Sequence, residues 1–218
     1  MRYKELTFEG RNAVLEAFRS GKTIDKLYIL DGCQDGPVKS IVREAKKTST
    51  IISYVEKERL DRLANTGHHQ GVVAIGAAYE YADVEDILEA ARSKGEDPFI
   101  FILDEIEDPH NLGAIIRTAN LAGAHGVIIP KRRAVGLTAT VAKTSAGAIN
   151  YTPVAKVTNI AATIESLKKE GLWFVCADMG GETMYNLNLK GPIGLVIGNE
   201  GNGVSRLVKE KCDFVASI

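Results

Sequence analysis

The chain has 218 residues, of which 45% are hydrophobic and 25% charged, and its net charge is −1. Such a composition calls for a packed core in one large or two small domains, and excludes a disordered chain. The near-neutral charge excludes a globally basic nucleic-acid binder, so any RNA contact must come from a local patch.

Three separated cysteines, Cys33, Cys176 and Cys212, lack CxxC spacing. That argues against a disulfide framework and a zinc site, and fits a reducing compartment. The N-terminus has no apolar signal region and no run reaches membrane-spanning length. The expectation is a soluble cytoplasmic protein with no membrane partner and no metal.

In chain order, RNAVLEAFRSGK (11–22) has helical apolar spacing and ends near Gly21. KLYIL (26–30) reads as a strand, and GPVKSIVREAKKT as a helix with Pro37 in its first turn. IISYV, EKERLDRLAN and GVVAIGA (71–77) complete a small α/β unit, placing a first domain at 1–78. Residues 79–97 are acidic and amphipathic and are closed by Gly95 and Pro98, which reads as a linker containing a helix.

From residue 98 the pattern alternates more regularly. FIFIL (99–103) precedes a helix over 112–122, then come GVIIP (126–130) and a helix over 138–149. YTPVAKV, NIAATIESLKKEG, LWFVCAD (172–178), IGLVIGN (193–199), VSRLVKEKC and DFVASI follow. Short apolar runs separated by helices predict a parallel sheet covered on both faces. Ligands of such sheets sit beyond the carboxyl ends of the strands, where DEIEDPHN, DMGGET and GNEGNG all fall.

The chemistry-bearing residues lie in these loops. GNEGNG (198–203) is neither a Rossmann fingerprint nor a Walker loop, and as a glycine-rich turn it could be only a turn. Glu200, beside Asn199 and Asn202, gives it a second reading as a wall of the ligand crevice. In DPHNLGAIIRTAN (108–120), Asn111 is either a helix N-cap or a site residue. Arg117 is either paired with Asp104, Glu105 or Asp108, or a clamp for phosphate or ribose oxygens. Lys131, Arg132 and Arg133 follow a strand end, with Lys143 further on; a basic triplet is ordinarily solvated surface, but this one is placed to meet an RNA backbone. His68, His69 and His110 have no metal spacing, and His125 reads as a loop residue.

Two stretches, DPHNLGAIIRTANLAGAHGVIIP and IGLVIGNEGNGVSRLV, together with KTSAGAINYTPV between them, resemble the SpoU family of RNA ribose 2'-O-methyltransferases. That family lies within the trefoil-knotted SPOUT superfamily. EGRNAVLEAF and HHQGVVAI are similar to the family's small L30e-like RNA-binding domain. The resemblance implies a SPOUT methyltransferase domain over 98–218 and S-adenosylmethionine (SAM) as methyl donor.

It further implies a ribose 2'-OH as acceptor, with a guanosine of large-subunit (23S) rRNA as the nearest subfamily's target. A tRNA-directed enzyme and a non-catalytic RNA-binding fragment are the alternatives. Residue by residue, it gives Arg117 the orientation of the 2'-OH, Asn111 the shaping of the site, and Glu200 the holding of the loop or the RNA. Ile197, Gly198, Asn199, Gly201 and Ile218 would line the SAM pocket. Arg11, Lys131, Arg132, Arg133 and Lys143 would meet RNA. No metal is implied, because SAM leaves as a neutral thioether.

The family pattern continues past DFVASI into a segment that threads the knot, completes the SAM pocket and supplies much of a homodimer contact. A chain that stops at Ile218 is therefore expected to be truncated before that third motif, with an incomplete knot, weak SAM binding and a weakened dimer.

Overall fold

The computed structural model describes residues 6–217, so Ile218, an expected SAM contact, lies outside the described residues. Two compact units emerge. One takes in the described residues up to Glu80 together with Gly136–Ala139. The other comprises Tyr81–Val135 and the chain from Thr140 onward.

The first unit runs β1 (Leu6–Glu9), α1 (Arg11–Arg19), β2 (Ile24–Leu30), α2 (Gly36–Lys47), β3 (Ile51–Val55), α3 (Lys57–Leu63) and β4 (Val72–Gly76). Its sheet has the order β1-β4-β2-β3 and is mixed, since only β2 and β3 pair in parallel. Helix α2 shows why its sequence folds locally. The Asp35 side chain accepts from Val38 N at the N-terminus, Pro37 lies in the first turn, and Val38, Ile41 and Ala45 form a buried stripe. That stripe packs with Val14, Phe18, Leu27 and Ile29.

The second unit runs α4 (Val84–Lys94), β5 (Phe99–Leu103), α5 (Pro109–Leu121), β6 (Gly126–Pro130), α6 (Ala139–Thr144), a 3-10 turn at Ala148–Asn150, β7 (Val154–Val157), α7 (Ile160–Lys169), β8 (Trp173–Thr183), a 3-10 turn at Met184–Asn186, β9 (Ile193–Ile197), α8 (Arg206–Lys209) and β10 (Phe214–Ser217). All six strands are parallel, in the order β10-β8-β9-β5-β6-β7. The expected α/β parallel sheet is present. Ile100, Ile102, Ile128, Phe174 and Val196 are fully buried, as strands covered on both faces require.

Several expectations need correction. Helix α5 begins at Pro109, not 112, because Asp108 is the N-cap: its carboxylate accepts from His110 N and Asn111 N, so Asn111 is not the cap. The helix expected over 138–149 is interrupted, since α6 ends at Thr144, Ala146 (φ +50°) and Gly147 (φ +89°) turn the chain, and a short 3-10 turn follows. Within 79–97, read as a linker containing a helix, that helix is α4 and it packs into the core of the second unit. Ile87 and Leu88 are buried with Ile100 and Ile128, and a Cβ on Gly126 would lie 2.6 Å from Ile87 carbons. His125 lies in the loop before β6, as expected, and is buried there. Its Nδ1 accepts from Phe99 N at 3.0 Å, so Nε2 carries the proton facing Glu96.

Candidate active site

The strand order reverses between β5 and β9, which are neighbours in the sheet although far apart in sequence. Their two following loops therefore lie side by side at the carboxyl edge, where ligands of such sheets bind. Polar contacts lock them together. Buried Asp104 accepts from Ser205 N at 2.8 Å, and its own N–H donates to Ile197 O at 2.9 Å. Asn199 Nδ2 donates to Glu105 O at 3.1 Å, while Asn199 Oδ1 accepts from Gly201 N at 2.9 Å and Asn202 N at 3.3 Å. The backbones of Asn199 and Gly203 exchange bonds of 3.0 and 2.8 Å, closing GNEGNG into a miniature hairpin. Gly198 is needed because a Cβ there would sit 2.2 Å from Gly203 C.

Beside this hairpin is a cavity of about 440 Å³, within the 300–1,000 Å³ range of ligand pockets. Glu200, Gly201, Asn202 and Gly203 form one wall. Ala177, Asp178 and Met179 from β8, with Ala216 and Ser217 from β10, form the rest. The β8 wall comes from a register break. Val215 pairs with Cys176 but Ala216 pairs with Glu182, so the intervening β8 residues loop out of the ladder. Gly181 permits the excursion, since a Cβ there would lie 2.2 Å from Val215 O. Asp178 is fixed by Lys209 Nζ at 2.8 Å and by Met179 N at 2.7 Å. The Lys209 ammonium is the main cause that holds its carboxyl below the usual aspartate value.

The residues expected from sequence divide unequally around this cavity. Glu200 and Gly201 line it. Ile197, Gly198 and Asn199 do not: the Ile197 carbonyl and the Asn199 side chain are consumed in joining the two loops, and Gly198 packs on Gly203. Asn111 and Arg117 also lie outside the cavity lining, on α5. Asp178 and Met179 were within the strand-end segment DMGGET but carried no motif of their own, and nothing in the sequence signalled the register break.

Helix α5 packs its Leu112, Gly113, Ile116 and Ala119 face inward. Gly113 meets Thr144, whose Oγ1 would be 1.9 Å from an added Cβ, so the close approach there is by α6. His110, Arg117, Thr118 and Leu121 are exposed. Among the described residues Arg117 has no hydrogen-bond or ion-pair partner. Its three possible acidic partners are engaged elsewhere, Asp104 with Ser205 N, Glu105 with Arg133 at 2.8 Å, and Asp108 in capping. Arg117 thus stands two turns inside the helix, with its guanidinium free.

The remaining cations are placed less uniformly. Lys143 and Arg132 are exposed and Lys131 half-buried, whereas Arg133 is paired with Glu105. Arg11 is drawn into the first unit itself: it binds Asp35 at 2.6 Å, Gln70 O at 3.2 Å and Cys33 Sγ at 3.6 Å. An RNA contact from Arg11 would have to displace those bonds.

Residues 98–218 match the model of the SpoU rRNA Methylase family, and residues 8–82 match that of RNA 2'-O ribose methyltransferase substrate binding. A Bacillus subtilis (strain 168) protein provisionally named a TrmH family tRNA/rRNA methyltransferase is 51% identical over 210 residues, which are 96% of this chain and 84% of the relative. A protein of the same provisional name from Staphylococcus haemolyticus is 47% identical over 99% of this chain and 86% of its own length. Among solved structures, the SpoU methyltransferase AviRb from Streptomyces viridochromogenes in complex with the cofactor AdoMet aligns with a TM-score of 0.57 at 21% identity. That alignment covers 98% of this chain and 80% of the other, and its likeness is one of fold. On the family model and the close relatives, the chain belongs to the SpoU rRNA methylase family.

Proposed function

We propose that this protein transfers a methyl group from SAM to the ribose 2'-OH of an RNA nucleotide, with 23S rRNA as the substrate and tRNA as the second candidate. The observation that carries the reading is the exposed, unpartnered Arg117 guanidinium in a family chain that also has a ligand-sized cavity behind the GNEGNG hairpin. The residues present suit SAM. The cavity has an adequate volume and backbone-rich glycine walls, and it carries Glu200, whose carboxylate favours hydroxyls and a positive sulfonium. Bound there, SAM would supply an electrophilic methyl and depart as a neutral thioether.

The chain's own residues then have defined tasks. A guanidinium is protonated at every relevant pH, so Arg117 stabilises the alkoxide that develops as the 2'-oxygen forms its bond to carbon. The proton goes to a phosphate oxygen of the RNA. His110 is the alternative acceptor, being seven residues earlier on the same face of α5, about 10 Å along the axis. The Arg117 side chain leans toward the helix N-terminus and shortens that gap. Asn111, half-buried in the first turn, shapes the acceptor side, and Glu200 holds the loop or the RNA. The first unit, with its mixed sheet, serves as an L30e-like substrate-binding domain; the family match over 8–82 supports this.

The substrate is tested by mapping 2'-O-methylation in ribosomal and transfer RNA from a strain lacking the protein. One missing mark in 23S rRNA is expected. Loss of a tRNA mark instead would select the second candidate, and an unchanged map of both would refute the proposal.

A further inference from the structure

The first unit contains a groove of about 680 Å³ between α2 and β3, comparable with pockets that hold sizeable ligands. Lys39, Arg43, Lys46 and Lys47 line it from one helix face, following the i, i+4 and i, i+3 spacings that align side chains along a helix. Tyr54 faces them from β3 and is 55% exposed. Val42 contributes to the floor. Glu44 engages Lys47 at 2.9 Å and lies 3.7 Å from Arg43, so that one carboxylate stands against four cations. Among the described residues, Lys39 and Lys46 have no acidic partner. In a chain of net charge −1 this is a strong local imbalance.

Two plainer explanations fit poorly. Cations that protect an edge strand from aggregation sit on the strand itself. Here β3 is the edge of its sheet, yet its sequence IISYV carries no charge, and the cations lie across the groove on α2. A merely solvated basic face needs neither a groove nor an exposed aromatic ring. A ring opposite a row of cations matches single-stranded RNA, whose bases stack on aromatic faces while its phosphates meet Lys and Arg.

We propose that the α2–β3 groove binds an unpaired segment of the RNA substrate, with one base stacked on Tyr54 and successive phosphates held by Lys39, Arg43 and Lys46. The proposal rests on the reading that the substrate is RNA, and it names the place and mode of docking.

The test uses the full chain and a fluorescein-labelled 12-nucleotide single-stranded RNA, with a duplex of the same length for comparison. Tyr54→Ala should weaken single-strand binding roughly 10-fold, as loss of one stacked base does, while Tyr54→Phe retains it. The triple variant K39E/R43E/K46E should flatten the slope of log affinity against log salt by about 2, from roughly 0.7 for each lost single-strand contact. In methyl-transfer assays the RNA KM should rise while kcat stays unchanged. All of these side chains are exposed, so thermal unfolding should match the wild type. Unchanged RNA affinity and salt slope in the triple variant would overturn the groove while leaving the methyltransferase reading intact. So would equal loss of duplex binding in Tyr54→Ala, or binding of phosphatidylglycerol vesicles with RNA affinity unaffected. Weaker RNA binding by the variants, together with a wild-type protein that methylates no RNA, would instead uphold the groove and refute the methyltransferase reading.

Discussion

Replacing Gly198 with alanine would place a Cβ 2.2 Å from Gly203 C and 2.3 Å from both Gly203 O and Val204 N. Ordinary carbon contacts begin near 3.5 Å, so the shortfall exceeds about 1 Å, and every atom met is backbone. Rotamer changes cannot relieve it. The hairpin must open at its Asn199–Gly203 bonds of 3.0 and 2.8 Å. Two net hydrogen bonds at about 0.5–1.5 kcal/mol each give roughly 1–3 kcal/mol, the same range as overpacking a filled site. For a chain of this size that corresponds to about 2–4 °C in Tm per kcal/mol. Gly201 is the internal control, because a Cβ there meets only Asn199 Oδ1 at 3.4 Å. Calorimetry should show Gly198→Ala melting several degrees lower than Gly201→Ala, and competition with labelled SAM should show much weaker binding for Gly198→Ala than for the wild type. Equal melting of the two variants, with SAM competition by Gly198→Ala equal to the wild type, would refute the claim that the hairpin is closed by backbone contact and forms the cavity wall.

Other consequences are equally direct. Ile87→Ala should destabilise the second unit by about 2–5 kcal/mol in denaturant titration, because Ile87 is fully buried in its core; a loose connector would lose almost nothing. Asn199→Ala removes three side-chain hydrogen bonds, one joining the two loops and two bracing GNEGNG itself, and should cost about 1–3 kcal/mol with loss of turnover. The Asp178 carboxyl titrates below its ordinary value because of Lys209, so its contribution to stability is complete above the unfolded-state pKa of about 3.9 and vanishes as pH falls through the lower folded value. NMR titration of the Asp178 side chain should place its midpoint below that of the same group in a Lys209→Met variant.

Much of the second unit was legible from sequence because its signals are local and periodic. The apolar runs at 99–103, 126–130 and 193–197 are short, rich in Ile, Val and Phe and bounded by turn residues, as strands of a doubly covered sheet are. The placement of GNEGNG at a strand end followed from the same pattern. What escaped depends on pairings between distant residues. The helix starts earlier because the Asp108 carboxylate accepts from His110 N and Asn111 N and Pro109 suits the first helical position. The role of Asn199 as a strut depends on Glu105 O, 94 residues away, which no local pattern signals. The pairing of Arg11 with Asp35 and Gln70 is equally long-range. The cavity wall at Asp178 and Met179 depends on a register break between β8 and β10, and no periodicity encodes that. Arg117 is the opposite case. Its lack of an acidic partner among the described residues could be read only from the structure, where Asp104, Glu105 and Asp108 are each engaged elsewhere.

The most direct test is methyl transfer from tritiated SAM to ribosomal RNA, with RNA binding measured in parallel, for the wild type and Arg117→Ala. An exposed side chain without partners leaves stability unchanged when truncated. Loss of one electrostatic stabiliser of a developing oxyanion should cost roughly 100- to 1,000-fold in turnover. The account predicts that loss, with most RNA affinity and the melting temperature retained. Normal turnover by Arg117→Ala would contradict it.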